Sequence, residues 1–247
     1  MAESTTDPKR SLGIYLLPNL FTTAGLFAGF YAVVAAMKGF FDVAAIAIFI
    51  AMIADGLDGR VARLTNTQSE FGAQYDSLSD MVAFGIAPAL VVYSWALFDL
   101  GKLGWLAAFF YAAATALRLA RFNVQEVEDK RFFQGLPSPS AAGIIAGMVW
   151  LGNQNGVPGH SINIFVALIT VITAALMVSN IRYYSFKQID FKGKVPFIAI
   201  LIVVLVFVAI SLDPPLVLFV GFGIYGLSGP VLHLREIRSL KKKTEKP

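Results

Sequence analysis

Residues 40–98 read FFDVAAIAIFIAMIADGLDGRVARLTNTQSEFGAQYDSLSDMVAFGIAPALVVYSWALF, and the fold turns on how this stretch divides. Two apolar runs, about 40–63 and 73–98, enclose a polar junction holding Asp55, Asp58, Asp76 and Asp80. Neither run alternates with a period of two, which argues against a membrane β-barrel and for helices. A helix rising about 1.5 Å per residue crosses the hydrocarbon layer in about 20 residues. The short connection Leu64–Phe71 makes the two helices antiparallel neighbours and puts the aspartates near one membrane surface.

The same spacing recurs outward in both directions. Candidate spans lie at about 15–37, 103–123, 138–153, 162–182, 195–212 and 215–234, which with the first two makes eight. The span at 40–63 carries Asp42 near its start, and the one at 138–153 has only a dozen mostly apolar residues. Composition agrees with a polytopic, all-α membrane protein. The chain of 247 residues is 57% hydrophobic even with glycine left out, and only 15% charged, where a soluble domain carries about 25%. Cysteine is absent, so thiol nucleophiles, thiolate metal sites and disulfides are excluded.

Charge position sets the expected orientation. With the N-terminus inside, 18 of the 20 basic residues fall on cytoplasmic segments, leaving only Lys38 and Lys102 outside. Such asymmetry is the positive-inside signature, and it predicts both termini cytoplasmic. It also accounts for the net charge of +4 without nucleic acid as a partner. The polar segment 1–11 precedes an apolar run longer than the roughly 7–15 residues of a signal-peptide core, so an uncleaved anchor is expected. A basic tail, 236–247, follows the last span, where Lys241–Lys243 suit a topology signal or contact with anionic lipid. Gly25/Gly29 and Gly143/Gly147 have the spacing of close helix packing. His160 and His233 have no partner pattern and read as structural.

On a helix, positions i, i+3, i+4 and i+7 share a face. Asp55, Asp58, Gly59 and Ala62 therefore form one stripe, and Gly72, Asp76 and Asp80 another. Four carboxylates at the end of a helix pair demand a cation between them. Hard oxygen donors with no histidine or cysteine in reach favour Mg²⁺ or Mn²⁺ over Zn²⁺. A solvated loop, or salt bridges to Arg60 and Arg63, would explain the charges but not the small residues in register beside them. Gly59, Ala62 and Gly72 leave a slot for a flat ligand, and Arg63 stands where it can pair with a phosphate. Together these suit a nucleotide diphosphate.

The pattern D-x2-D-G-x2-A-R-x8-G-x3-D-x3-D, from Asp55 to Asp80, resembles the CDP-alcohol phosphotransferase family in every element. Stretches elsewhere resemble its phosphatidylserine synthase branch: Pro18–Thr22, Phe84–Pro88, Leu117–Asn123, Gly135–Pro139 and Met177–Tyr183. The resemblance implies a catalytic six-helix core over 12–182, with two added helices over 183–235. It implies transfer of a phosphatidyl group from CDP-diacylglycerol to L-serine at the cytoplasmic face of the inner membrane, and a homodimer among membrane lipids. Asp55, Asp58, Asp76 and Asp80 would hold two metal ions, with Asp80 also the general base. Asn19, Thr22, Gly59, Ala62, Arg63 and Gly72 would bind the nucleotide.

A serine pocket needs a cation for the carboxylate. Arg118 and Arg121, at i and i+3 near the end of one span, are the favoured pair. Asn123, Gln134, Ser138, Ser179, Asn180 and Arg182 are the other candidates at that level. Choline would instead want an aromatic cage, for which Phe132, Phe133, Tyr183 and Tyr184 are available. Glycerol phosphate or inositol are further acceptors of the same chemistry. A divalent-cation transporter is the reading from another class, opposed by the arginines beside the path.

Overall fold

The structure is a computed structural model describing residues 12–124, 132–185 and 197–244. Segment 1–11, and Lys9, Arg10, Lys130, Arg131, Lys187, Lys192, Lys194 and Lys246 of the charge count, lie outside the described residues. The helices are α1 (Leu12–Met37), α2 (Phe41–Thr65), α3 (Glu70–Leu100), α4 (Lys102–Val124), α5 (Ser138–Gln154), α6 (Asn163–Val178), α7 (Phe197–Leu212) and α8 (Pro214–Thr244). The architecture is all-α and of membrane type. Among the described residues, five segments are long and apolar enough to cross a membrane: Pro18–Met37, Glu70–Leu100, Lys102–Val124, Gly159–Val178 and Pro214–Arg235. The other three expected spans are helices as well. Of these, α2 carries five charged side chains, and α5 and α7 are only 17 and 16 residues long.

The core is a seam of small residues. Ala28, Ala32, Ala35 and Ala36 of α1 lie buried, as do Ala44, Ala45, Ala47 and Ala51 of α2. Small side chains let helix backbones approach closely, the main source of helix attraction in lipid. Gly29 and Gly147 serve the same end. A Cβ at Gly29 would lie 2.7 Å from Cα of Ala83, and one at Gly147 would lie 2.9 Å from Cα of Phe219. The short α5 is buried continuously from Ala141 to Val149, as expected of a helix that is apolar all round. Asp42, the awkward charge in α2, accepts a hydrogen bond of 2.8 Å from Asn153 Nδ2 of α5. By contrast α7 buries none of its residues.

Two departures from the expected pattern shape the site. The sixth span, expected to reach 182, ends at Val178. Ser179 Oγ donates to Leu176 O at 2.8 Å and accepts from Ile181 N at 3.3 Å, local bonds that compete with the helix. The chain then forms a strand, β2 (Arg182–Tyr184), paired antiparallel with β1 (Phe132–Gln134) and with Phe133 opposite Tyr183. The second departure is in α3, whose residues Met81–Ile86 widen into a π-helical turn. Pro88 follows, with no N–H to donate and a ring that crowds the preceding turn. Tyr111 Oη of α4 donates to Phe84 O at 3.1 Å instead. At the other end of the described residues, α8 continues past 235 to Thr244 without a break.

Candidate active site

The turn between α2 and α3 is built from its own residues. Asn66 takes the left-handed conformation, φ 51°, and its N–H reaches the carbonyls of Ala62 and Arg63. Asparagine tolerates that region better than most residues do. Ser69 then caps α3, its Oγ accepting from Gly72 N at 3.0 Å. The turn reverses the chain so that the first turns of α3 pack on α1, and the aspartates of α2 and α3 converge on one cleft between the three helices. Carboxylate oxygens of Asp55, Asp76 and Asp80 all come within 4.8 Å of one another.

Asp58 stands to one side of this trio. It is only 5% exposed and accepts a hydrogen bond of 2.8 Å from Thr22 Oγ1 of α1. Ser79 Oγ of α3 donates in turn to the Thr22 carbonyl at 3.0 Å. Three helices are thus tied at one point, and all four carboxylates line a single cleft with Thr22, Gly25, Ala51 and Ala83.

The small residues of the slot differ from those of the core. A Cβ at Gly59 would meet nothing within 4 Å among the described residues, whose packing does not require a glycine there. At Gly72 a Cβ would lie 3.1 Å from Ser69 Oγ and 3.6 Å from Asn19 Oδ1, which brings Asn19 to the mouth of the slot. Ala62 is half-buried. Arg63 is exposed and folds back along its own helix, Nε donating to Gly59 O at 2.8 Å.

The two arginines expected to act as a pair separate. Arg118 is buried, and its Nη1 donates to Ser138 Oγ at 2.9 Å. Asp80, Tyr225 and Tyr111 lie within electrostatic range of it. Its Nε has no hydrogen-bond partner among the described residues. Arg121 instead reaches the end of α6, donating to Asn180 Oδ1 at 3.3 Å and to Ser179 O at 3.5 Å. Asn123 Nδ2 donates to Ser77 Oγ at 3.0 Å. Gln134 and Arg182 face each other across the ribbon and are exposed.

Several participants carried weak sequence signals. Ser77 and Ser79 interleave with Asp76 and Asp80, where a hydroxyl flanking a carboxylate stripe is a readable cue. Tyr75, whose Oη lies 2.9 Å from Thr23 Oγ1, has no such cue. Nor does Tyr225, roughly 100 residues along the chain from Arg118.

The donor set suits a divalent ion. Three carboxylates within 4.8 Å repel strongly unless a cation or a shared proton sits among them. Hard oxygen ligands with no cysteine in the chain match Mg²⁺ or Mn²⁺.

A family model described as CDP-alcohol phosphatidyltransferase matches residues 15–178. A CDP-diacylglycerol–serine O-phosphatidyltransferase of Helicobacter pylori (strain ATCC 700392 / 26695) is 39% identical over 219 residues, covering 87% of this chain and 90% of its own. Proteins of the same name from Mycobacterium leprae (strain TN) and Bacillus subtilis (strain 168) are 30% and 31% identical. The first covers 86% of this chain and 72% of its own; the second covers 70% and 92%.

Proposed function

The chain belongs to the CDP-alcohol phosphatidyltransferase family, and on that premise we propose that it transfers a phosphatidyl group from CDP-diacylglycerol to L-serine, releasing CMP. The observation that carries this reading is the convergence of Asp55, Asp76 and Asp80 beside the open backbone at Gly59.

The serine hydroxyl oxygen attacks the phosphorus that bears diacylglycerol. The bond from that phosphorus to the oxygen of CMP breaks, and the hydroxyl proton passes to a base. Asp80 is the base in this reading. It sits among the other carboxylates and within electrostatic range of Arg118, so acceptor and diphosphate can meet there. A general base must come within about 2.6–3.2 Å of the proton it takes, directly or through one water. Asp55, Asp58, Asp76 and Asp80 would hold Mg²⁺ or Mn²⁺, as a pair of ions in the finer reading. When bound, such ions neutralise charge building on the attacking and leaving oxygens of an in-line displacement.

The nucleotide lies in the slot of Gly59, Ala62 and Gly72, with Asn19 and Thr22 on its α1 side. Arg63 gives up its contact with Gly59 O to meet the diphosphate. On the acceptor side Arg118 receives the serine carboxylate, since a buried guanidinium with an unpartnered Nε is costly until an anion pairs with it. Arg121 with Asn180 shapes the rim. The alternative aromatic cage is weakened by Tyr183, which is fully buried with its hydroxyl on Gly226 O at 2.9 Å.

The chain is a multi-pass membrane protein. We place it in the inner membrane with the site facing the cytoplasm, because lipid must enter laterally while serine and CMP exchange with water. The assembly in this reading is a homodimer.

The test offers purified protein CDP-diacylglycerol with serine, choline, inositol or glycerol phosphate, and follows CMP release. Serine alone should support release. Release with choline and not with serine would overturn the acceptor assignment.

A further inference from the structure

Helix α8 lies beyond the segment matched by the family model, which ends at residue 178, yet it reaches the acceptor side of the site. Tyr225 of α8 stands within electrostatic range of Arg118, and its Oη donates to Tyr184 O of the ribbon at 3.0 Å. The ribbon returns the contact, with Tyr183 Oη donating to Gly226 O of α8 at 2.9 Å. The two rings pack at 5.7 Å between centroids. Gly229 makes room for this: a Cβ there would lie 2.4 Å from Cζ of Tyr183. Tyr183 is wholly buried.

Helix α8 packs along α5, with Phe222 against Gly143 and Phe219 against Gly147, and its Tyr225–Gly229 stretch holds the ribbon, which leads to Arg118. Strand β1 runs into Gly135, whose φ is +74° and whose N–H donates to Ile181 O at 2.9 Å. A side chain at Gly135 would strike the Met177 carbonyl oxygen at 2.1 Å, so the turn is fixed against the end of α6. Three residues on, Ser138 opens α5 and accepts from Arg118. Anything that shifts the ribbon shifts Ser138, and with it the direction of the one buried guanidinium near Asp80 among the described residues.

We propose that Tyr225 and Tyr183 are positioning residues for the acceptor: α8 clamps the ribbon, and through the ribbon and Ser138 it aims Arg118 at the acceptor. This rests on the reading of Arg118 as the acceptor-side cation. Helix α8 is then a working wall of the acceptor pocket as well as a membrane element. The clamp residues Tyr225, Gly226 and Gly229 meet the ribbon, whereas α8 touches α2, on the nucleotide side, through Phe222 against Phe49.

The test uses full-length protein in detergent and compares wild type with Tyr225→Phe and Gly229→Ala. The first keeps the ring and removes one hydrogen bond; the second displaces Tyr183 by a single methyl group. Both should raise the KM for serine about five-fold or more, the scale of one lost hydrogen bond. The KM for CDP-diacylglycerol, kcat and CMP affinity should stay within about two-fold, because transition-state contacts are unchanged. A parallel rise in both KM values would mean general loosening and would overturn the proposal, as would an unchanged serine KM in both variants.

A double-mutant cycle with Arg118→Lys tests the route. If Tyr225 acts through Arg118, the effects on serine KM fall short of additive; full additivity refutes the route. The acceptor assignment fails separately, on wild type alone. Should wild type consume another alcohol, the same KM split for that alcohol still decides the role of Tyr225.

Discussion

Replacing Thr22 by valine tests how the carboxylate cluster is held together. The Thr22 hydroxyl has one proton and two acceptors within reach, Pro18 O at 3.1 Å and Asp58 Oδ2 at 2.8 Å. The carboxylate contact is the shorter and is charge-assisted. Valine keeps the branched shape and loses the donor. Both residues are buried, at 4% and 5% exposure, so water cannot readily replace the lost bond. Hydrogen bonds to charged groups are worth about 1.5–3 kcal/mol, and an abandoned buried acceptor costs its desolvation as well. For a chain of this length each kcal/mol moves the unfolding midpoint by about 2–4 °C, which makes the expected drop in chelator roughly 3–12 °C.

A divalent ion among the carboxylates would compensate for the missing donor. Saturating Mg²⁺ should therefore raise the midpoint of Thr22→Val more than that of wild type. Thr22→Ser, which keeps the hydroxyl, should behave as wild type in both conditions. Thermal scans in detergent with Mg²⁺ and with EDTA give all of these values. A midpoint for Thr22→Val equal to wild type in EDTA would refute the energetic argument. An equal shift on adding Mg²⁺ would refute the place of Asp58 beside the ion.

Other outcomes follow from the same geometry. Asp80→Asn should keep nucleotide binding while turnover falls by about 10²–10⁴, the usual range for a lost general base; single-turnover CMP release alongside CMP binding measures both. Gly59→Ala meets no atom of the described residues and should leave stability unchanged or raise it by about 0.5–1 kcal/mol. Its affinity for CDP-diacylglycerol should nevertheless fall, as a KM titration beside a thermal scan would show. Gly29→Val shows the opposite pattern: its Cβ would collide with the Ala83 backbone, costing about 1–3 kcal/mol by overpacking and lowering the unfolding midpoint.

Much of the site was legible because helix geometry converts spacing directly into neighbourhood. Asp55 and Asp58 at i and i+3, and Asp76 and Asp80 at i and i+4, share faces on any helix. The short turn 66–69 then sends the second helix back toward the first, close enough for the carboxylates to meet. The apolar runs were equally plain, since each positions a whole helix. Their ends were less so. Ser179 ends α6 four residues early through bonds of its own side chain, and nothing in the apolar pattern announces that.

The ribbon could not be read in advance. Three-residue strands are too short to show an alternation, and Phe132–Gln134 finds its partner some 50 residues later at Arg182–Tyr184. The π-helical turn before Pro88 was hidden because one proline permits either a kink or a widened turn. Arg118 and Arg121 show the limit of spacing arguments most clearly. At i and i+3 they share a helix face, yet Arg118 turns in to Ser138 and Arg121 turns out to Asn180. Long flexible side chains are directed by partners from other elements. Tyr225 stayed invisible for the same reason, its relation to Arg118 existing only in the folded chain.

The most direct test of the central claim follows isotope-labelled serine into lipid. Purified protein receives CDP-diacylglycerol and labelled serine with Mg²⁺, with Mn²⁺ or with EDTA, and Asp76→Asn is run beside wild type. Label in the lipid extract and released CMP should rise together in equal amounts with metal present. Both should vanish in EDTA and in the variant. Label entering lipid at an undiminished rate in EDTA, or CMP appearing without labelled lipid, would contradict a metal-dependent phosphatidyl transfer to serine at the Asp55–Asp80 cluster.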